Sequence, residues 1–268
     1  KNNTLQRKHS NFVLDFCQPT FLAECNNTMQ FLDVGCGTGD YTRDCLLPSC
    51  QPCRRIVATD WLSDMVDYAR SHSGHEKIDY QVLDIAGDGV SDFLKQHGRF
   101  HRVYSFYCLH WMKNQDVALK NIAELLTPGG ECLLLFPASN PATAGWQILA
   151  GMERWAKFSE LLLSLVPESQ NMADKQEQID YMSSLLHDAG LSPTIFALPR
   201  MATFDGWSEE DIIGLHNGIV PIAALVSDEE RPQLFEDVRA LVRKLHGPET
   251  DQSLFRMYII KATKKLKR

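Results

Sequence analysis

Leu32-Asp33-Val34-Gly35-Cys36-Gly37-Thr38-Gly39-Asp40 closes a short apolar run and leads into a helical segment. Glycines at 35, 37 and 39 let the backbone turn sharply and approach a ligand with no side chain in the way. A dinucleotide fingerprint places its third glycine at position 40, which is Asp40 here. Asp33 and Asp40 also put negative charge around the loop, unfavourable beside a pyrophosphate, so the loop suits a nucleoside without phosphates. Asp60 stands 25 residues after Gly35 at the end of a second apolar run, and Asp84 at the end of a third. A carboxylate at the first position accepts from both hydroxyls of a ribose. One at the second accepts from the exocyclic amine of adenine, while Ile85 packs on the ring or donates its backbone N–H. Each aspartate has a plainer reading, Asp60 as a helix N-cap and Asp84 as a turn residue. At successive strand ends beside a glycine loop, ligand binding outweighs both. Cys36 within the loop and Trp61 after Asp60 complete the candidate set around this ligand.

A second cluster lies in Phe106-Tyr107-Cys108-Leu109-His110-Trp111-Met112, at the end of a fourth apolar run. An indole at a strand tip is either a core aromatic or a hydrogen-bond donor held at a site, since Trp donates and cannot accept. His110, with a reference pKa near ~6.5, is a candidate general base, or else a ring packed behind the site and bonded to backbone.

The elements that must hold these residues alternate. Strands are expected in "MQFLDVG", "RRIVATD", "IDYQVLDI", "FHRVYSFY" and "ECLLLFP". Helices are expected in "YTRDCLL", in "LSDMVDYARSH" with Ser63 a possible cap, in "VSDFLKQHG" ended by Gly98, and in "NQDVALKNIAELL". Thr127-Pro128-Gly129-Gly130 reads as a turn. The unbroken apolar run of the fifth strand suits the buried middle of a parallel sheet. The pattern through residue 137 predicts an α/β fold, a parallel sheet wrapped by helices. Residues 4 to about 25 read as a helical lead-in. Beyond Pro137, residues 141–190 and 208–246 read mostly helical, "TIFALPRMATF" as a possible strand, and "FRMYIIKA" as a closing strand.

The 268 residues are 44% hydrophobic, enough for a sizeable core, and carry a formal net charge of −7. That balance, with a single basic run at Lys264–Arg268 and no basic stripe interleaved with aromatics, argues against a nucleic-acid partner. No run approaches the ~20 apolar residues of a membrane span, and no secretory signal pattern opens the sequence. All eight cysteines fall between Cys17 and Cys132. Cys50-Gln51-Pro52-Cys53 has no second pair, which disfavours zinc, and a reduced, cytoplasmic chain without metal is the simplest expectation.

The set Asp33, Gly35, Gly37, Gly39, Asp60 and Asp84 resembles the class I methyltransferases that use S-adenosylmethionine. The resemblance covers about residues 30–137. It implies a Rossmann-like, seven-stranded, mostly parallel sheet with its last strand antiparallel, the glycine loop under the methionine part of the cofactor, and Ser105 as a cofactor contact. A narrower resemblance lies in "FHRVYSFYCLHWMKNQDVALKNIAELL" with "GGECLLLF". It is similar to the insect juvenile hormone acid methyltransferases, and its Leu-His-Trp segment to the plant SABATH carboxyl methyltransferases. "NTLQRK" resembles the stretch where those enzymes keep a functional glutamine. The resemblance implies that Gln6 and Trp111 hydrogen-bond a substrate carboxylate, with His110 in support.

The implied organisation is a single domain. Residues 26–137 are the cofactor-binding core, 138–190 and 201–250 are helical segments capping a substrate pocket, and 1–25 is an N-terminal helix closing the site. The function expected is methyl-ester formation on an apolar carboxylic acid such as a farnesoic or juvenile hormone acid. The alternatives are methylation of a small polar polyacid, as in the trans-aconitate methyltransferases, or cofactor binding without transfer. A polyacid pocket calls for arginines, and the capping segments offer few beyond Arg154 and Arg200.

Overall fold

In a computed structural model, residues 2–172, 174–201, 207–246 and 256–265 are described, with the side chains of residues 2–4 left aside. Seven strands form one sheet: β1 (Gln30–Val34), β2 (Arg55–Asp60), β3 (Ile78–Val82), β4 (Phe100–Phe106), β5 (Leu126–Pro137), β6 (Leu191–Ala197) and β7 (Met257–Lys264). Their order is β3-β2-β1-β4-β5-β7-β6. Strands β1 to β5 pair in parallel, and β7 runs antiparallel between β5 and β6. This is the seven-stranded, mostly parallel, Rossmann-like sheet that the resemblance implied, with its last strand antiparallel.

The period-2 alternation of strand side chains explains the two covered faces. Leu32, Val34, Val103, Leu134 and Phe136 face one way. They pack under α4 (Val90–His97), α5 (Gln115–Leu125) and α8 (Lys175–Asp188). Phe31, Ile56, Tyr104, Leu133 and Leu135 face the other way, against Val13, Leu14 and Cys17 of α1 (Asn2–Cys17) and against Leu47 of α2 (Leu47–Ser49). Residues Thr42–Leu46 lead into α2 as a π-helical stretch. Helix α3 (Ser63–His72) covers β2 through Val66 and Ala69.

A third apolar core belongs to the cap. It joins α6 (Pro141–Ala150), α7 (Ser159–Ser164), α9 (Glu209–Ile219) and α10 (Arg231–Leu245) through Trp146, Leu149, Trp155, Leu162, Ile213, Val238 and Leu241. Helix α6 starts directly from the end of β5. Asn140 caps it by accepting from the Thr143 N–H at 3.1 Å, and Pro141 takes the first turn, where a missing N–H is harmless.

Four expectations shift. The N-terminal helix stops at Cys17 rather than near residue 25, because Pro19 has no N–H to continue it; a 3₁₀ turn, Gln18–Thr20, follows. Ser63 is the first residue of α3 and does not cap it. Thr127–Gly130 is an irregular stretch inside β5, where pairing jumps from Phe100↔Leu126 to Arg102↔Glu131 around Gly129 at φ +74°. Strand β6 begins at Leu191, three residues before the expected segment, and Arg200 adds a single bridge to Arg256; residues 202–204 of that segment lie outside those described. All eight cysteines are free thiols. No helix among the described residues is long and apolar enough to cross a membrane.

Candidate active site

The strand order turns around between β1 and β4, and a crevice at the carboxyl ends of the strands follows from that reversal. The glycine loop leaves β1 there, and the segment holding Trp111 leaves β4 beside it. The two tips are tied together: the buried Ser105 hydroxyl donates to the Val34 carbonyl at 3.0 Å. Ser105 therefore ties the two strand tips together, with its hydroxyl proton committed to Val34.

Each loop glycine has φ positive, and two of the three are also crowded by a side chain. A Cβ on Gly35 would lie 2.5 Å from the Cβ of Cys108, and one on Gly39 would meet the Tyr80 ring at 2.6–2.8 Å. A Cβ on Gly37 would meet nothing within 4 Å, so that backbone borders open space. The loop is held down from β2: Thr59 O accepts from Gly35 N and Cys36 N, and Asp60 Oδ2 accepts from Gly37 N at 3.0 Å. Asp60 Oδ1 takes the Leu62 N–H at 3.1 Å. Each carboxylate oxygen keeps a free lone pair for a ribose hydroxyl. The Cys36 thiol is turned away, buried among Ala58, Val66, Ala69 and Tyr80, so only backbone at this position borders the crevice. Trp61, 65% exposed, stands beside Asp60 where an indole can cover a bound ring.

Asp84 lies two residues past the end of β3, in an Asx turn with Oδ1 accepting from Ala86 N at 2.9 Å. The Ile85 side chain is buried in the core under α4 and α5, and Asn121 holds its carbonyl at 2.8 Å. The Ile85 side chain is thus committed to the core, which leaves its backbone N–H as the other expected contact. Asp33 is buried and accepts from the Thr42 hydroxyl at 2.6 Å. Desolvation pushes its carboxyl up to about 6; the Thr42 bond opposes that, and the charge of Asp60 adds to it. Asp40 is paired with Arg7 at 2.9 Å. The negative potential of the loop thus comes from Asp60 and, above about pH 6, from Asp33 as well. Open backbone at Gly37 and a ribose-competent carboxylate, in a negative field that disfavours phosphate, fit S-adenosylmethionine, whose sulfonium is cationic.

Residues 31–130 match a family model described as a methyltransferase domain. This stretch, from β1 into β5, is similar to a methyltransferase domain. The chain is 37% identical over 191 residues to a juvenile hormone acid O-methyltransferase of Drosophila melanogaster, covering 70% of this chain and 62% of that protein. It is 34% identical over 148 residues to the Bombyx mori protein of the same name, 55% of this chain and 52% of that one. The chain thus spans less than two thirds of the length of either relative. Among solved structures, the N-methyltransferase NodS of Bradyrhizobium japonicum in complex with S-adenosyl-L-homocysteine superposes with TM-score 0.51 at 11% identity, over 97% of this chain and 88% of that one. The [4+2]-cyclase SpnF superposes with TM-score 0.58 at 18% identity, over 97% and 83%. A cyclase and a methyltransferase on one scaffold show that the fold alone does not select the reaction.

What the crevice presents to a second ligand is decided past β4. Leu109–Trp111 form one 3₁₀ turn, and the Trp111 N–H of the backbone donates to Cys108 O at 3.0 Å. The Trp111 indole is half-buried, packed on Trp146 of α6 with centroids 5.2 Å apart and planes at 31°. Its Nε1–H has no protein acceptor among the described residues. Trp155, by contrast, donates to Asp237 Oδ2 at 2.8 Å. His110 is buried with Nδ1 unpartnered, and desolvation pushes its pKa down to about 3. It is a neutral ring lying 4.8 Å from Trp111, not bonded to backbone as the plainer reading expected.

Helix α1 lies across this mouth. Arg7 pairs with Asp40 at 2.9 Å and Asp44 at 3.2 Å, and His9 Nδ1 is 2.5 Å from the Tyr107 hydroxyl. Gln6 is exposed, one helical turn from the buried His9 and Ser10 and on the same face. Its amide has no protein partner among the described residues. Sequence reasoning missed Tyr107, Trp146 and Cys108. Each acts through a neighbour distant in the chain, and no spacing signals that.

Proposed function

We propose that this chain is an S-adenosylmethionine-dependent carboxyl O-methyltransferase whose acceptor is an apolar carboxylic acid of the farnesoic or juvenile hormone acid kind. The observation that carries this reading is the Trp111 indole, whose N–H lacks an acceptor among the described residues while its ring is set against the apolar cap. The names of the two insect relatives support the same acceptor class.

Bound cofactor supplies an electrophilic methyl on a sulfonium. An acceptor carboxylic acid, with a solution pKa near ~4, is already an anion at pH 7 and needs no base. The protein has to orient one oxygen and keep water away, which is worth up to roughly 7–11 kcal/mol of barrier. Trp111 Nε1–H and the Gln6 amide are donors without charge, so they orient the anion without quenching it as a guanidinium would. His110, neutral down to about pH 3, is a poor proton acceptor, which disfavours phenol or amine acceptors that need deprotonation.

The cap supports an apolar tail by the character of its lining, not by a ready-made pocket. The space between α6, α9 and α10, walled by Trp146, Leu149, Val220, Val238, Leu241 and Leu245, is about 10 Å³, room for one water, so a tail has to part these helices or lie along them. Its one titratable neighbour, His216, is pushed by burial toward the neutral form. Among the described residues a polyacid finds no counter-charge there: Arg154 is exposed and pairs with Asp237 at 3.4 Å, and Arg200 is exposed at the sheet edge.

The test measures S-adenosylhomocysteine release with a panel of long-chain terpenoid or fatty acids and of tricarboxylic acids. Methyl esters of the apolar acids are expected. Trp111→Phe keeps the ring and removes the N–H, and should lower turnover roughly 10- to 100-fold while cofactor affinity stays within about twofold. Preferred turnover of the tricarboxylic acids, or full activity of Trp111→Phe, overturns the reading.

A further inference from the structure

Tyr107 has φ +54° and is the one non-glycine among the described residues with a positive φ. A bulky residue in that region is strained, and such strain persists only where surrounding contacts impose it. Here they do. The Tyr107 N–H donates to Leu135 O at 2.7 Å, its ring meets His110 edge-on at 6.2 Å, and its hydroxyl lies 2.5 Å from His9 Nδ1. The His9 and Tyr107 rings lie within 18° of parallel.

The geometry explains why the chain accepts the strain. Phe106 belongs to the sheet face that α1 covers, and strict alternation would send residue 107 to the opposite face. The left-handed turn returns Tyr107 to the α1 side, where it packs against the same core. Burial pushes the phenol well above its usual range, so it stays protonated and able to donate. His9 is buried on α1, one turn beyond Gln6; His110 and Trp111 follow Tyr107 by three and four residues. One side chain thus touches both supports of the carboxylate donors.

Resting on the carboxyl-methylation reading above, we propose that Tyr107 is the positioning residue for the acceptor: its bond to His9 fixes α1 over the crevice and so sets the spacing between the Gln6 amide and the Trp111 indole. Tyr107 touches neither reacting atom; it acts through Gln6.

Tyr107→Phe keeps the ring and removes only the hydroxyl, and His9→Leu removes the same bond from the other side. Both should lower kcat/KM for an apolar acid about tenfold with cofactor affinity within about twofold. In a Gln6→Ala background the Tyr107→Phe effect should vanish, because the group it positions is gone. Independently of any acceptor, amide hydrogen exchange across residues 5–17 should rise at least several-fold in both variants. Unchanged exchange in α1, or losses that multiply in the Gln6→Ala/Tyr107→Phe double variant, overturns the proposal. If the wild type methylates no acid while exchange rises in the variants, the carboxyl reading falls and the His9–Tyr107 latch of α1 stands.

Discussion

His110 gains its character from where it sits. Its ring is buried behind Trp111 and Tyr107 with no charged partner among the described residues, and desolvation pushes its pKa down to about 3. The unfolded chain, with a reference near ~6.5, binds a proton between those values that the folded chain does not. Stability therefore falls as pH drops below about 6.5, by up to about 2 kcal/mol at pH 5 from this one residue. His110→Gln should shrink the loss of unfolding free energy between pH 7 and pH 5, read from urea titrations at each pH. It should also keep turnover within about tenfold. Removing a general base costs 10²–10⁴-fold, so a loss of that size would show that a proton does move through this ring. The dipeptide His110-Trp111 is visible in the chain; that one ring is a donor left open and the other is kept neutral follows from packing, above all against Trp146, 35 residues further on, which no spacing connects to them.

Helix α6 links the two halves of the molecule, since it starts where β5 ends and carries Trp146 onto Trp111. Its start is secured by Asn140, whose backbone N–H donates to Gln170 Oε1 at 2.9 Å and whose side chain caps Thr143. Asn140→Ala should cost about 1 kcal/mol of stability. The rise should appear in KM for an apolar acid and leave cofactor affinity unchanged, because the glycine loop and Asp60 lie on the far side of the crevice. A proportional loss of cofactor binding would mean that the cap and cofactor site are not separate. The cap helices were legible as apolar helical segments, while their mutual arrangement was not: period 3.6 shows which face is buried, and not against which helix.

Across the whole molecule, Lys261 of β7 and Glu131 of β5 form an ion pair at 2.6 Å with side chains 2% and 4% exposed. The pair also fastens the chain leaving α1: Lys261 Nζ donates to Thr20 O at 2.9 Å, and Glu131 Oε2 accepts from Leu22 N at 2.9 Å. Arg102 adds its guanidinium 4.0 Å from the Phe21 ring centroid. Lys261→Met leaves a buried carboxylate alone and should cost about 3–5 kcal/mol, whereas Lys261→Met/Glu131→Leu should recover most of it. Equal losses in the single and double variants, read from denaturant midpoints, would show that the pair adds nothing beyond packing.

Local physics settles much of this protein before any long-range contact forms. Apolar runs of strand length alternate with amphipathic helices, glycines at 35, 37 and 39 free the backbone, and carboxylates end successive strands; those features depend only on near neighbours, so the parallel sheet and the cofactor loop are written into the chain. Tertiary structure alone decided the rest. Ser105 ties β4 to β1 through Val34, Ile85 turns into the core, Tyr107 accepts φ +54° to reach His9, and Trp111 rests on Trp146. Each of these outcomes is a choice between two sides of a strand or two partners far apart in sequence, and close packing in three dimensions makes that choice.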